Sequence, residues 1–323
     1  MKLTIRICSA LLFTAVFNLA AAQSYPVRPV RLIFPLVPGS VSNDILGRAL
    51  AQRLSESLGQ PVVADYRPGA AGTIGGALAA KSAPDGYTLL IGYTSSIMIS
   101  PTLHPSAGFN PVSDLAPIAR FAVVPYVSVV HPSLPATNLK ALVALAKARP
   151  GQINFASAGA GGLPHLAGEL FKLTANVDIV HVPYRGAATA HTDLLGGHVQ
   201  MQFTGISGVA PSIKAGKLRA LAVTAAKRSA LLPEVPTAAE SGFPTLDVSS
   251  SLGVLAPANT PVAIVRRLHD EIAKIVNRAD MQNFITGQGA DPALMDPAEF
   301  GAHIKAETAK WERVIKAANV KPE

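Results

Sequence analysis

The amino-acid sequence predicts an α/β protein of two domains, each containing a mainly parallel sheet with helices on both faces. Three observations support this prediction. Short runs of β-forming residues alternate with helical patterns along most of the chain. Pro and Gly, at 26 each among 323 residues, are spread along the chain, which is typical of many short βα turns. The alternation is interrupted once, at residues 118–130, which we interpret as two consecutive strands separated at Pro125 and as the crossing into a second domain.

The first βα unit contains the first candidate binding loop. An apolar strand at residues 30–34 leads into a loop of Pro, Gly and small polar residues, and a helical pattern then runs to Gly59, a typical helix stop. The first N–H groups of a helix have no intrahelical partner and carry the positive end of the helix dipole, so they can accept a carboxylate or a phosphate. An ordinary βα turn, with Ser42 or Asn43 as the N-cap, is the alternative that this stretch leaves open.

The remaining elements continue the βα order. We predict strands at residues 61–65, 87–92, 153–156, 178–182, 199–203, 218–223 and 248–255, and helices at residues 73–81, 138–148, 163–175, 187–195, 261–277, 280–286 and 296–318. The strand at residues 218–223 is expected to lead the chain back to the first domain. Lobe 1 is therefore predicted to contain residues 23–123 and 224–323, and lobe 2 residues 124–223.

A second Gly-rich loop, at residues 157–162, also follows a strand and runs into a helix. It is a poor dinucleotide fingerprint, because Pro164 stands where the third Gly or Ala belongs, and no Walker A sequence is present. A nucleophile elbow nearly occurs around Ser157, but Phe155 replaces its first Gly, so a hydrolase remains an alternative. His165, in the first turn of the following helix, faces either a cleft or the core.

Composition and spacing argue against several other classes. The eight histidines form no H-x-x-x-H or H-E-x-x-H pattern and have few carboxylates near them, so no metal site is predicted. The formal charge of +8 is scattered along the chain with little aromatic interleaving, which argues against nucleic-acid binding and leaves a weak preference for anionic ligands. We expect no cofactor.

The N-terminus has the pattern of a secretory signal peptide. Lys2 and Arg6 precede an apolar run at residues 10–19, and three alanines end the pattern, so residues 1–22 are predicted to be removed by cleavage near Ala22. Cys8, the only cysteine, lies inside this segment. The mature chain is therefore expected to be exported and to contain no disulfide. Two anion-accepting helix starts facing each other between two domains would form a clamp for a small acid.

A family resemblance runs through the whole mature chain in order. It rests on the motifs PLVPG at residues 35–39 with Asp44, YRPGAAG at 66–72, PDGYTLL at 84–90, FASAG at 155–159 with HLAGELF at 165–171, HVPYRG at 181–186, DLLGG at 193–197 and AGKLRALAV at 215–223. Each motif alone is weak, but together they are specific. On these motifs the sequence resembles the Bug family of periplasmic solute-binding receptors of the tripartite tricarboxylate transporter type.

The resemblance implies a type II periplasmic binding protein fold, with two Rossmann-like lobes around a hinge and a ligand cleft. It implies a monomeric, non-catalytic receptor in the periplasm that holds a small carboxylate by lobe closure and passes it to membrane transporter subunits. In the family, the two loops described above grip one carboxylate, and the other end of the ligand meets more variable residues near residues 93–96, 204–207 and 247–250. The ligand-binding residues implied are Pro38, Gly39, Ser40, Val41, Ser42, Asn43, Tyr93, Ser95, Ser157, Gly159, Ala160, Gly161, His165, Thr204 and Ser207.

The sequence departs from the family pattern at three places, which bear on the identity of the ligand. Ser40 replaces a second Gly after Pro-Gly, Thr204 ends a Gln-Phe-Thr run where many members have Met-Phe-Asp, and Ser251 replaces an aromatic residue. The last two differences remove a negative charge and a bulky ring. An exported hydrolase-like enzyme and a solute sensor for a membrane kinase are the alternative functions.

Overall fold

The computed structural model describes residues 25–39 and 41–321 and, for Val41, only the backbone. Two predictions, the signal peptide at residues 1–22 and the ligand contact of Ser40, lie outside the described residues. Within the described part of the chain, no helix is both long and apolar enough to cross a membrane.

Strands and helices alternate along the described residues. The strands are β1 Val30–Phe34, β2 Val62–Tyr66, β3 Thr88–Tyr93, β4 Leu115–Val130, β5 Asn154–Ser157, β6 Val180–Pro183, β7 Met201–Gly205, β8 Arg219–Val223, β9 Ser249–Pro257 and β10 Asp291–Met295. The helices are α1 Val41–Leu58, α2 Thr73–Ala80, α3 Ser100–Leu103, α4 Leu139–Ala148, α5 Leu163–Ala175, α6 Ala187–Leu195, α7 Ile206–Lys214, α8 Val262–Val276, α9 Ala279–Gly287 and α10 Pro297–Ala317. Shorter helical turns occur at Ala70–Gly72, Thr94–Ile99 (a π-helical turn) and Pro105–Ala107.

The strands form one continuous sheet in the order β2-β1-β3-β9-β4-β7-β5-β6, with β8 and β10 also paired to β4. The pairs β1–β2, β1–β3, β5–β6 and β5–β7 are parallel, whereas β9 and β4 pair antiparallel with their neighbours. Two parallel units, β2-β1-β3 and β7-β5-β6, therefore lie on either side of the antiparallel pair β9–β4.

The long strand β4 corrects one expectation. Residues 118–130 belong to a single 16-residue strand, not to two strands separated at Pro125. Pairing with β9 extends to Pro125, opposite Ser249, and pairing with β7 begins at the next residue, Tyr126, opposite Gly205. Pro125 has no N–H to donate, so it is tolerated where the strand changes partner. The predicted lobe boundary at residue 124 falls inside this strand, and the lobe assignment stays a prediction.

Helices cover both faces of the sheet because each has one apolar side. Leu46, Leu50 and Leu54 recur every four residues along α1 and are fully buried in an apolar cluster that also contains residues of β1, β3 and β9. Helix α10 starts with a capping box, in which the Asp296 carboxylate accepts from the Glu299 N–H at 2.8 Å and the Glu299 carboxylate accepts from the Asp296 N–H at 3.0 Å. The mixed α/β architecture thus agrees with the sequence prediction.

Besides the short helix α3, which spans Ser100–Leu103, two elements were not predicted. Helix α7 begins directly after β7, but Gly208 and Pro211 weaken its helical pattern, so the sequence between the predicted strands at 199–203 and 218–223 was left without a helix. The other is β10, which carries Pro292 and pairs with β4. Of these, α7 contributes directly to the site described next.

Candidate functional site

A cavity of about 570 Å³ opens where the strands of the two parallel units end. Its lining comes from the segments that follow β1, β2, β3, β5, β6 and β7, and from the middle of β4 and the start of β9. This is the position at which α/β sheets commonly bind ligands, because loops from several strand ends converge there.

Four helix starts meet at this cavity. Its lining includes Ser42 and Asn43 in the first turn of α1, Pro164 in that of α5, Ala187 in that of α6 and Ser207 in that of α7. Free N–H groups and the positive ends of the helix dipoles belong to these turns. The sequence predicted the starts of α1 and α5 as anion-accepting positions; those of α6 and α7 were missed.

Asp44 organises the loop that precedes α1. Its fully buried carboxylate accepts the Gly39 N–H at 2.9 Å and the Tyr66 hydroxyl at 2.7 Å, and it pairs with Arg48 Nε at 3.2 Å. Burial and the hydrogen bond to Asp44 raise the pKa of Tyr66 to about 12, so this phenol stays a donor. The loop is thus held against the first turn of the helix by a carboxylate that the helix dipole itself favours.

The two parallel units touch at the cavity through a pair of hydroxyls. Ser42 Oγ on α1 lies 2.8 Å from Ser207 Oγ on α7, and both residues line the cavity. The starts of α1 and α7 therefore lie side by side, although the residues are 165 positions apart.

The second Gly-rich loop adopts a backbone that requires glycine. Gly159 and Gly161 have φ values of +135° and +73°, and a Cβ on Gly161 would lie 2.6 Å from Leu103 Cδ1. The Gly161 N–H donates to His165 Nδ1 at 2.9 Å, which fixes the loop against the first turn of α5. Gly159 and Ala160 line the cavity, whereas Gly161 and His165 lie behind it.

A stacked pair of imidazoles, the buried His165 and the half-buried His181, supports this loop from behind. The rings of His165 and His181 stack with centroids 3.6 Å apart and planes at 8°. Burial, followed by the charge of His165, lowers the pKa of His181 to about 4. Glu169 lies near them, with its Oε1 3.7 Å from His165 Nε2; although burial would raise the pKa of its carboxyl, the neighbouring His165 and the hydrogen bond from Lys172 lower it on balance. His181 is therefore neutral at ordinary pH.

Ser157 and His181 form the contact that a hydrolase would need, since Ser157 Oγ lies 2.6 Å from His181 Nε2. The same hydroxyl also donates to the Gly159 carbonyl at 2.9 Å, and Ser157 is fully buried and does not line the cavity. Among the described residues, no carboxylate is hydrogen-bonded to His181 as the orienting member of a triad would be. This geometry supports a loop-bracing role for Ser157 rather than a nucleophilic one.

The implied ligand-binding residues fall into two groups. Those that line the cavity are Ser42, Asn43, Tyr93, Ser95, Gly159, Ala160, Thr204 and Ser207. Those outside the lining are Pro38 and Gly39, which are exposed on the first loop, the Val41 backbone at the start of α1, and Ser157, Gly161 and His165 behind the second loop. The second group shapes the loops that carry the first.

Several lining residues were missed by sequence reasoning. Val124 and Tyr126 reach the cavity from the middle of β4, and His191 reaches it from α6. The sequence does not identify Val124 and Tyr126 as lining residues, because the strand register around Pro125 decides which face of β4 meets the cavity. The His191 Nδ1 atom is buried without a hydrogen-bond partner, and burial lowers the pKa of this imidazole.

The lining carries no fixed charge: among the described residues that form it, none is Lys, Arg, Asp or Glu. Its titratable groups are Tyr93, Tyr126 and His191, and burial raises the pKa of Tyr93 to about 12. No group of three or more His, Cys, Asp or Glu that could hold a metal ion occurs among the described residues. Any attraction for an anion therefore comes from main-chain N–H groups, neutral side chains and the helix dipoles.

Comparison with known proteins identifies the family to which this chain belongs. A family model described as "Tripartite tricarboxylate transporter family receptor" matches residues 46–320. Protein BugT of Bordetella pertussis (strain Tohama I) is 38% identical over 314 residues, which cover 96% of this chain and 96% of BugT.

Solved structures agree with this match. The structure of R. palustris Rpa4515 with adipate is 35% identical, with a TM-score of 0.81 over 93% of this chain and 100% of that one. The periplasmic binding protein BugD is 31% identical, with a TM-score of 0.77 over the same shares. The fold is accordingly that of two-lobed periplasmic binding proteins, and the chain belongs to the receptor family of the tripartite tricarboxylate transporters.

Proposed function

We propose that this protein is a periplasmic receptor that captures a small carboxylate and delivers it to membrane subunits of a tripartite tricarboxylate transporter. The observation that carries the proposal is the convergence of four helix starts on a cavity whose described lining has no charged side chain. Such a site offers N–H donors and positive dipole ends to an anion without a competing carboxylate.

The anchor for the carboxylate is assigned to the two predicted loops. In this proposal the loop at residues 38–43 and the loop at residues 157–162 approach one carboxylate with main-chain N–H groups, small hydroxyls and water. Support comes from Ser42, Asn43, Gly159 and Ala160, which all line the cavity, and from the adipate bound to a 35% identical relative. The candidate ligands are dicarboxylates, tricarboxylates, acidic amino acids and aromatic acids.

Capture is proposed to occur by closure of the lobes. Lobe 1, residues 23–123 and 224–323, would meet lobe 2, residues 124–223, over the ligand. The contact between Ser42 and Ser207 is what such a closed arrangement needs. Because a ligand shifts a conformational equilibrium only by its differential affinity, it must contact both lobes to favour closure. The transporter subunits would then recognise the closed state.

The proposal is tested by thermal unfolding of the mature chain with a panel of acids. We expect at least one small carboxylate to raise the melting temperature, because a ligand at 100 times its Kd stabilises the folded state by about 2.7 kcal/mol. The methyl ester and the amide of the same acid are the matched controls and should give little stabilisation. Mass spectrometry of any ligand released by denaturation identifies the compound directly. If no acid stabilises the protein while an ester or amide is hydrolysed, the enzyme alternative is correct.

The periplasmic location and the membrane partner are tested in two linked experiments. The full chain, with its predicted signal segment at residues 1–22, is expected to reach the periplasm and to be shortened near Ala22. Co-purification from membranes then separates the two partner classes, since transporter subunits support the proposal and a membrane kinase supports the sensor alternative.

A further inference from the structure

The floor of the cavity carries a row of hydroxyl groups from four neighbouring parts of the sheet. The strands β3, β9, β4 and β7 are adjacent in that order. Each contributes one hydroxyl-bearing residue to the lining: Ser95 in the turn after β3, Ser250 on β9, Tyr126 on β4 and Thr204 on β7. Ser250 lies beside the neighbouring strand at Val124, and Thr204 pairs with Val127.

Strand geometry directs these side chains to the cavity, because successive side chains point to opposite faces of a sheet. Ser251 Oγ bonds to His303 Nε2 at 2.8 Å on the far face, so Ser250 faces the cavity. Phe203 packs on Phe171 of α5, and Thr204 is turned the other way.

These hydroxyls are not used by the fold. Among the described residues, the side chains of Ser95, Tyr126, Thr204 and Ser250 have no hydrogen-bond partner, and Ser250 is only 3% exposed. Only Ser250 of the four is a buried residue, and none of the four hydroxyl oxygens is fully buried, so the row is open to hydrogen bonding with a polar group of a ligand. By contrast, the hydroxyl of Tyr93, in the same cavity, is already committed to the Pro35 carbonyl at 3.1 Å.

The row is suited to a neutral group more than to a second carboxylate. Burial raises the pKa of Tyr126 and lowers that of His191, so both stay uncharged. The helix starts supply the lining residues in the first turns of α1, α5, α6 and α7, whereas Tyr126 and Ser250 of the row lie within strands β4 and β9. A second ionised carboxylate on the floor would be desolvated without a cation to compensate it.

We propose that the hydroxyl row binds a neutral hydrogen-bonding group, namely a hydroxyl, ketone or amide, so that the ligand is a monocarboxylate with a neutral polar end rather than a dicarboxylate. This inference rests on the proposed function, because it takes the carboxylate of the same ligand to lie at the helix starts. It narrows the ligand class by a property of this chain's own cavity lining.

The test compares acids that differ at one end only. Calorimetric titration of the mature chain would use hexanoate, 6-hydroxyhexanoate and adipate, and the four-carbon set of butanoate, 4-hydroxybutanoate and succinate. We expect the hydroxy acid to bind at least tenfold more tightly than both partners in at least one set. A dicarboxylate or plain acid that binds as well as or better than the hydroxy acid in both sets overturns the inference and leaves the carboxylate receptor intact. If none of the six binds, the inference fails, and the wider acid panel described above decides the proposed function separately.

Two near-isosteric variants locate the effect. Tyr126→Phe and Thr204→Val each remove a hydroxyl, so each should reduce the preference for the hydroxy acid over the plain acid to less than threefold. Ser128→Ala is the matched control, because its hydroxyl also belongs to β4 and has no hydrogen-bond partner, but it does not line the cavity. Circular dichroism and the melting temperature check that the variants fold. A preference that survives in both variants shows that the row does not bind the neutral group.

Discussion

At the scale of single residues, the stacked imidazoles couple the stability of the protein to pH. His181 lies between Ser157 and the ring of His165, and burial together with the charge of that ring lowers the pKa of His181 to about 4 from 6.5. A pKa that is lower in the folded than in the unfolded state means that the unfolded chain binds more protons between these values. Folding stability contributed by neutral His181 is therefore complete above pH 6.5 and is lost as the pH falls towards 4.

We predict that the free energy of unfolding decreases by on the order of 1–2 kcal/mol through this group between pH 6.5 and pH 4, with allowance for the partial exposure of the ring. In His181→Gln this part of the pH dependence should disappear, because glutamine does not titrate. Urea unfolding at a series of pH values measures it. His198→Gln removes an exposed histidine and should keep the wild-type pH dependence. Equal slopes for wild type and His181→Gln would contradict the assignment.

At the scale of elements, Asp44 ties the first turn of α1 to the loop before it. One buried carboxylate accepts from Gly39 and Tyr66 and pairs with Arg48. The geometry of the loop therefore depends on a side chain that does not line the cavity.

We predict that Asp44→Asn destabilises the protein by about 1–3 kcal/mol, because the amide nitrogen cannot accept a hydrogen bond and a buried donor loses its partner. It should also weaken binding of the acid found in the thermal panel by at least tenfold, since the loop is released. Urea unfolding and calorimetric titration measure the two effects. The control is Glu240→Gln, whose carboxylate also accepts a main-chain N–H, from Thr237 at 2.7 Å, and also pairs with an arginine, Arg228, but has no partner in the cavity lining. The coupling is refuted if Asp44→Asn binds the acid like the wild type.

The elements also show where sequence reasoning works. The starts of α1 and α5 were predictable because a strand, a Gly-rich stretch and a helical pattern follow one another in each case. The start of α7 was missed because Gly208 and Pro211 are poor helix formers. Tyr126 was missed because the strand register decides which face of the sheet its side chain occupies. His165 was expected either in the cleft or in the core, and only tertiary packing on His181 decides between them. Features set by neighbouring residues in the chain could be predicted from the sequence, whereas contacts between distant segments could not.

At the scale of the whole molecule, β4 is the strand shared by both parts of the sheet. The run of β-forming residues marked the position of this strand, but Pro125 led to the prediction of two strands where there is one. Around this shared strand the two parallel units meet again at Ser42 and Ser207. That second contact is the place to test whether the lobes open.

We predict that the double variant Ser42→Cys/Ser207→Cys traps ligand when oxidised, because the two side-chain oxygens are 2.8 Å apart and the mature chain is expected to have no other thiol. The protein is loaded with an acid, oxidised and dialysed, and the retained ligand is counted by mass spectrometry before and after reduction. Each single cysteine variant should lose ligand at the wild-type rate. Equal ligand loss from the oxidised and reduced double variant would show that these segments need not separate for exchange.

Binding through helix N-termini affects how ligand specificity can diverge among related proteins. A main-chain N–H persists through every substitution except proline, so ordinary point mutations leave such an anchor in place. The residues that give the floor its hydroxyls, including Tyr126 and Thr204, carry no such protection. After gene duplication, substitutions at these hydroxyl-bearing positions can therefore change the ligand preference while the main-chain N–H groups continue to bind the carboxylate.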